Sequence, residues 1–524
     1  MRSCSLSVLS VLVAALLSGP ASSLPSFLGD MVAKHKWDAI PDKWVTRGHP
    51  PNRTTIDLYI ALKPQREDAL IDALYEVSEP SHPRYVHFTT PLLEASLTHS
   101  FIPLLCLRYG LHLTKEQVAG LVAPRPDTLE LVSSWLRYHG VPPSSISTTH
   151  GGCWLTVVGV PVFQANELLG ASYQLFYHAG TNDTVLRTVG YALPAVLHGH
   201  VDTVAPTTSF APSRLRQQTP QSQFVGAAEA AEANVGPGNP VKALSRRDGR
   251  PFIGPPILRW LYHTSNYVPK AMDKNSLGIV GFQDDYPSPE DLQAFMLLFR
   301  KDAVDANYTV AKINGGKYDP KSPGTEGNID TQYAGAIAYP TPQIFYSVGG
   351  GMRTDEAGEP ASGDGYLEWL EYLTKHTKVP QTISMSYGNR ESTITKEYAV
   401  ALCKLFGQLG VRGASVLSAS GDQGVGDGDC KDASGKVQFD VIFPASCTCD
   451  VASLSCIYTG TDWHKALTRS LSQFRRSLGH WCWRYNRLPR FRFPARGRAH
   501  PLRGRLLVSL SARLVPVNSG APVS

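Results

Sequence analysis

The sequence predicts an α/β protein in two structured parts: an antiparallel sheet with helices on one side, then a parallel α/β sheet. Three observations carry that expectation. Residues 24–204 alternate β-branched and aromatic runs with amphipathic helical runs in a βα…αβαβ order. Residues 205–254 are rich in Pro, Gln, Ala, Gly and Ser with little apolar periodicity, which is the composition of a linker. From Pro255 onward, short apolar runs alternate with helical ones, as buried parallel strands do. A chain of 524 residues is too long for one core, and its 42% apolar content is that of globular protein.

Taken in order, residues 1–23 read as a secretory signal. Arg2 supplies the positive start, 8–17 the apolar centre, and Ala21 and Ser23 the small residues of a cleavage site. The apolar run is too short to span a bilayer, so the chain is expected outside the cell and not in a membrane. Sequons at Asn52, Asn182 and Asn307 fit that address. A strand is expected over 56–62, and a helix over 66–75 with Ala69, Leu70, Ala73 and Leu74 on one face. A helix over 127–138, a strand over 154–158, a helix over 163–169 and a strand over 185–191 follow. Residues 86–109 interrupt this order: deleting them would join Tyr85 to Gly110 through a short turn ahead of a helix start at Thr114, so they read as an insertion. Arg246-Arg247 marks a processing site in the linker.

In the second part, strands are expected over 277–282, 311–313, 343–348, 382–386 and 414–419. Helices are expected over 289–300, opened by Pro289, and over 330–338, 365–375 and 397–409. Of nine cysteines, Cys4 leaves with the signal, and Cys430 with Cys447, flanking one loop, is the expected disulfide. Cys447, Cys449 and Cys456 have no fourth ligand at matching spacing and do not read as a zinc site. The net charge of +6 is uneven. Residues 451–524 carry 12 Arg and 1 Lys against 1 Asp, a local +12, so the body before them stands at −6. No groove-reading motif accompanies those arginines, which argues against nucleic acid as a partner.

Three segments carry chemistry. Glu326 and Asp330 lie four residues apart in Gly-Thr-Glu-Gly-Asn-Ile-Asp, hence on one helical face a turn from each other. Two buried carboxylates so close share a proton, leaving one a base at acid pH; two exposed ones would merely favour a helix N-terminus. The second segment, Ala419-Ser420-Gly421-Asp422-Gln423-Gly424, ends a strand in a glycine turn. There a protonated Asp422 can donate to an oxyanion; an ordinary strand-end turn, or a calcium loop with Asp427 and Asp429, fits the same residues. The third is the strand end Ser384, Ser386, Tyr387 and Gly388, whose backbone could pair with an extended peptide substrate.

In this order and spacing the segments resemble the sedolisins, the serine-carboxyl peptidases, and most of all the fungal secreted tripeptidyl peptidases. The turns at 285–289 and 338–342 add to the likeness. The resemblance implies a ferredoxin-like α+β propeptide over 24–204 and a subtilisin-like catalytic domain, incomplete, over 255–447. It implies an acid peptidase made as a proenzyme, releasing tripeptides from peptide N-termini, monomeric, with its own propeptide as intramolecular inhibitor. Glu326 would take the serine proton, Asp330 would hold Glu326, and Asp422 would stabilise the oxyanion. Calcium is expected from the family, as is a nucleophile in Gly-Thr-Ser-Ala-Ser. Neither that serine motif nor the C-terminal calcium aspartates occur here, and residues 448–524 depart from the family pattern. That tail reads as out-of-frame translation, or as the end of a catalytically dead, peptide-binding relative.

Overall fold

The computed structural model describes residues 29–41, 43–78, 111–180, 183–210, 254–282, 284–349, 365–420 and 441–447. Residues 1–23, the 86–109 stretch, Arg246-Arg247, Asn182, Asp422, Cys430 and the 448–524 tail lie outside them.

The first part runs β1 (Met31–Lys36), β2 (Trp44–Gly48), β3 (Thr55–Leu62), α1 (Ala69–Ser78), α2 (Lys115–Val122), α3 (Pro126–Tyr138), β4 (Ile146–Thr148), β5 (Trp154–Pro161), α4 (Val162–Leu169), β6 (Gln174–His178), β7 (Thr184–Arg187), β8 (Gly190–Pro194) and β9 (Val201–Ala205). A capping box starts α2: the Thr114 hydroxyl accepts from the Gln117 N–H, and the Gln117 side chain accepts from the Thr114 N–H. The central sheet has order β4-β5-β3-β9 and is antiparallel throughout, flanked by two- and three-stranded antiparallel pieces.

Strand β3 explains how the sheet is used. Ile56, Leu58 and Ile60 point to a core with Val132 and Trp135 of α3 and Leu168 and Leu169 of α4. Tyr59 and Ala61, on the other face, join the core of the second part. A strand buried on both faces is apolar without interruption, as this one is from Leu58 to Leu62.

The second part runs α5 (Pro255–Leu261), β10 (Leu277–Phe282), α6 (Pro289–Phe299), β11 (Tyr308–Ile313), α7 (Thr325–Ala338), β12 (Gln343–Val348), α8 (Gly365–Lys375), β13 (Thr382–Met385), β14 (Asn389–Arg390), α9 (Lys396–Val411), β15 (Ser415–Ser418) and β16 (Ile442–Phe443). Its sheet has order β11-β12-β10-β13-β15, and every pairing is parallel. Alternation along the strands separates two faces. Ile279 and Phe345 pack with Ala334 and Ala338 of α7. Val280, Ile383 and Met385 pack toward α8 and α9. Helix α9 buries Tyr398, Ala401, Leu402, Leu405, Phe406 and Leu409, a helical stripe with partners on both sides.

The first part docks on α8 and α9. Tyr59 Oη donates to Glu368 Oε1 at 2.6 Å, and Lys404 pairs with Asp202 at 2.7 Å. The Leu113 N–H donates to the Val411 carbonyl at 2.8 Å. Phe210, fully buried against Trp44 and Phe176, donates its N–H to the Thr393 carbonyl at 2.9 Å. Residues 206–210, linker-like by composition, are therefore packed.

Three expectations are corrected. Residues 185–191 form two strands, because the Thr188 N–H turns to the Thr207 carbonyl while the Val189 carbonyl accepts from Trp37. The helix expected from 330 begins at Thr325, with Gly324 in extended conformation at the N-cap. Cys447 bonds Cys403 of α9 and not Cys430; their Cα atoms lie 5.5 Å apart.

Candidate active site

Parallel strands leave their carboxyl ends on one edge of a sheet, where loops gather catalytic groups. Here β10 runs on to Asp285, β13 to Ser386, and β15 toward Ser420, all neighbours in the sheet. Helix α7 packs beside β10 and brings Glu326 and Asp330 to the same edge.

The start of α7 is set by close backbone approach. Gly324 N–H donates to the Tyr286 carbonyl at 2.9 Å. A Cβ at Gly327 would lie 2.6 Å from the Tyr286 carbonyl carbon, so glycine is required there. Asn328 ties the helix to α6: its Oδ1 accepts from the Ser288 N–H at 2.8 Å, and its Nδ2 donates to Asp291 Oδ2 at 2.7 Å.

Glu326 and Asp330 follow on one face of that helix, both partly buried. The Ser386 hydroxyl donates to Asp330 Oδ1 at 2.8 Å. Asp330 keeps some solvent-accessible surface, yet protein surrounds its carboxyl closely. Burial first, then the Glu326 charge, push it well above the usual carboxylate range; Ser386 opposes and Asp285 adds to the push. The pair therefore holds a proton more readily than either acid alone.

Sequence reasoning missed Asp285. Its Oδ1 accepts from the Gly327 N–H at 2.8 Å. Burial lifts its carboxyl above the ordinary range, against the Gly327 and Glu326 N–H groups. The signal available in the sequence was an acidic pair at the carboxyl end of an apolar run. Tyr387 closes the cluster: burial, then Asp285, Asp330 and Glu326, raise its hydroxyl. Of the segment expected to meet substrate, Ser386 serves Asp330, Ser384 is half-buried within β13, and Tyr387 and Gly388 are buried. A Cβ on Gly388 would sit 2.7 Å from the Phe443 carbonyl oxygen, so that backbone already has a neighbour.

A cleft of about 650 Å³, lined by Lys115, Arg125, His150 and Lys375 among others, lies where the first part meets α8. It contains none of these acids. Among the described residues, no three His, Cys, Asp or Glu side chains stand together as a metal site. Among them, too, no helix is long and apolar enough to cross a membrane. Asn52 and Asn307 are exposed.

Comparison with known proteins fits these observations. Residues 42–100 and 106–210 match the pro-kumamolisin activation domain. Tripeptidyl-peptidase SED2 of Arthroderma otae is 31% identical over 444 residues, covering 82% of this chain and 68% of that one. The chain belongs to the sedolisin family. Tripeptidyl-peptidase SED4 of the same organism is 27% identical over 429 residues, covering 80% of this sedolisin and 64% of the relative. This sedolisin thus spans about two thirds of the length of these relatives. Among solved structures, Pseudomonas sedolisin complexed with pseudo-iodotyrostatin aligns with a TM-score of 0.28 and 20% identity, over 38% of this chain and 52% of that one.

Proposed function

We propose that this sedolisin is the proenzyme of a secreted, glycosylated acid serine-carboxyl peptidase that releases tripeptides from peptide N-termini. Its five parallel strands would be the first portion of a subtilisin-like sheet, and its activation domain a ferredoxin-like inhibitor in cis. The observation that carries the reading is the carboxyl pair on one face of α7, with Asp330 braced by Ser386 at 2.8 Å.

In this reading Glu326 accepts the proton of a serine hydroxyl as the oxygen bonds to the scissile carbonyl carbon. It returns that proton to the leaving amine as the C–N bond breaks. Asp330 holds Glu326 and shares its proton. A histidine in that role would be charged near pH 4, whereas a proton-sharing carboxyl pair keeps one basic oxygen there. Asp422, beyond the end of β15, would donate to the oxyanion as a neutral acid. Calcium enters only through the family's C-terminal aspartates, which this sequence lacks, so no step is assigned to it.

The sequence contains no Gly-Thr-Ser, so no turnover of a tripeptide-linked chromogenic substrate is expected from it at any pH. Replacing residues 448–524 with the corresponding C-terminal portion of Arthroderma otae SED2 should yield activity at acid pH. A folded, processed chimera that remains inert would overturn the reading.

A further inference from the structure

The N-cap of α7 is Gly324, which has no side chain with which to satisfy the first-turn N–H groups. The cap comes from elsewhere in the chain. Asp285, in the turn after β10, places Oδ1 2.8 Å from the Gly327 nitrogen. The neighbouring Glu326 N–H, after that of Gly327, also acts to hold this carboxyl's pKa down. Space for it exists only because residue 324 is glycine, since a Cβ there would lie 1.9 Å from Asp285 Oδ1. The converging N–H dipoles favour a carboxylate there, although burial outweighs them and leaves the Asp285 carboxyl above its ordinary range.

We infer that Asp285 is a positioning residue of the site: as a helix cap supplied from another segment it holds the Gly327 backbone beside Glu326, and so stands as a third acid next to the pair. This rests on the reading of Glu326 and Asp330 as the proton-accepting pair. Among the described residues, the groups that face Asp330 are Glu326 on its own helix, Asp285 from the β10–α6 turn, and Ser386 and Tyr387 after β13. Asp291 of α6 engages the Asn328 amide. Cap and charge are separable, because an asparagine keeps the accepting oxygen and loses the charge.

The test compares the full chain with Asp285→Asn and Asp285→Ala, using carboxyl-labelled aspartate NMR with Asp330→Asn for assignment. Thermal unfolding is recorded beside it. Asp285→Asn should keep the melting temperature to within about 1 °C and move the Asp330 titration down toward the ordinary carboxylate range. Asp285→Ala should move the titration the same way and also lower the melting temperature by about 2–4 °C, the size of a lost cap. Gly324→Ala, by displacing the carboxylate, should reproduce the Asp285→Ala melting loss, and the double variant should add nothing further.

An Asp330 titration unmoved by Asp285→Asn would overturn the inference, as would an Asp285→Asn chain that fails to fold. No turnover is needed, so either failure leaves the peptidase reading standing. An inert SED2-tailed chimera with the titration shift intact would do the reverse.

Discussion

Two groups of carboxylates in this molecule receive opposite treatment. Where the activation domain meets α8 and α9, three acids face a donor or a cation: Glu368 has the Tyr59 hydroxyl at 2.6 Å, and Asp202 has the Lys404 ammonium at 2.7 Å. Glu371, which is buried, has Lys375 at 3.3 Å and the Thr156 hydroxyl at 3.4 Å. Around α7, by contrast, Asp330 has Glu326 and Asp285 as acidic neighbours, with the Ser386 hydroxyl donating to Asp330 and the Gly327 N–H to Asp285. The interface arrangement uses acids as fasteners, each set against a donor or a cation. The α7 arrangement favours a held proton on Asp330, which suits the role in proton transfer proposed for the pair.

The largest break in this comparison is kinetic. In the SED2-tailed chimera, Glu326→Gln should lower kcat/KM by about 10²–10⁴-fold, the usual contribution of a general base. Glu368→Gln, made in the fastening group, should leave the matured chimera within about twofold. Comparable losses from both, measured at acid pH on one tripeptide substrate, would erase the distinction between the two groups.

The interface side breaks next. Lys404→Ala leaves the half-buried Asp202 without its cation, its side chain 20% exposed. About 1–2 kcal/mol of docking stability should go, less than for a fully buried pair. Limited proteolysis should then release the activation domain faster. A domain held as firmly as before would assign the docking to apolar contacts of α9 alone.

Stability against pH sharpens the other side. Asp330 has a folded-state pKa above its unfolded value, so its contribution is fully present below the unfolded pKa and lost as pH rises through the folded one. The chain should therefore gain stability from this group on acidification. Asp330→Asn should flatten that part of the profile and stabilise the chain at neutral pH, where the charged form is penalised. A melting profile whose slope survives the substitution would place the acid sensitivity in other groups.

The site was only partly legible in the sequence, for reasons that follow from range. Spacing of i and i+4 is local, so Glu326 and Asp330 could be placed on one face before any fold was known. The apolar runs of β10 and β12 announced a buried parallel sheet for the same reason. Asp285 stands 42 positions before the N–H it caps and Ser386 stands 56 beyond the carboxylate it serves, and no periodicity reports such pairings. The disulfide failed similarly: Cys403 fits the apolar stripe of α9, whereas only the fold returns residues 441–447 to that helix. Strand β3 showed its apolarity but not its use, because a strand packed on helices behind and on another domain in front looks the same in sequence.

The smallest effect asks which way one hydroxyl leans. Ser386 donates to Asp330 and so favours the charged form, against burial and against its acidic neighbours. Removing it with Ser386→Ala costs about 1 kcal/mol or somewhat more where Asp330 is ionised, since the acceptor is then a charge. Little is lost where Asp330 is already protonated. The Asp330 titration should accordingly move up, opposite to the shift expected from Asp285→Asn, and the two substitutions together should largely cancel at that carboxyl while both remain visible in melting. A pair of shifts in the same direction would mean that Ser386 acts as a packing residue and not as the brace of the carboxyl pair.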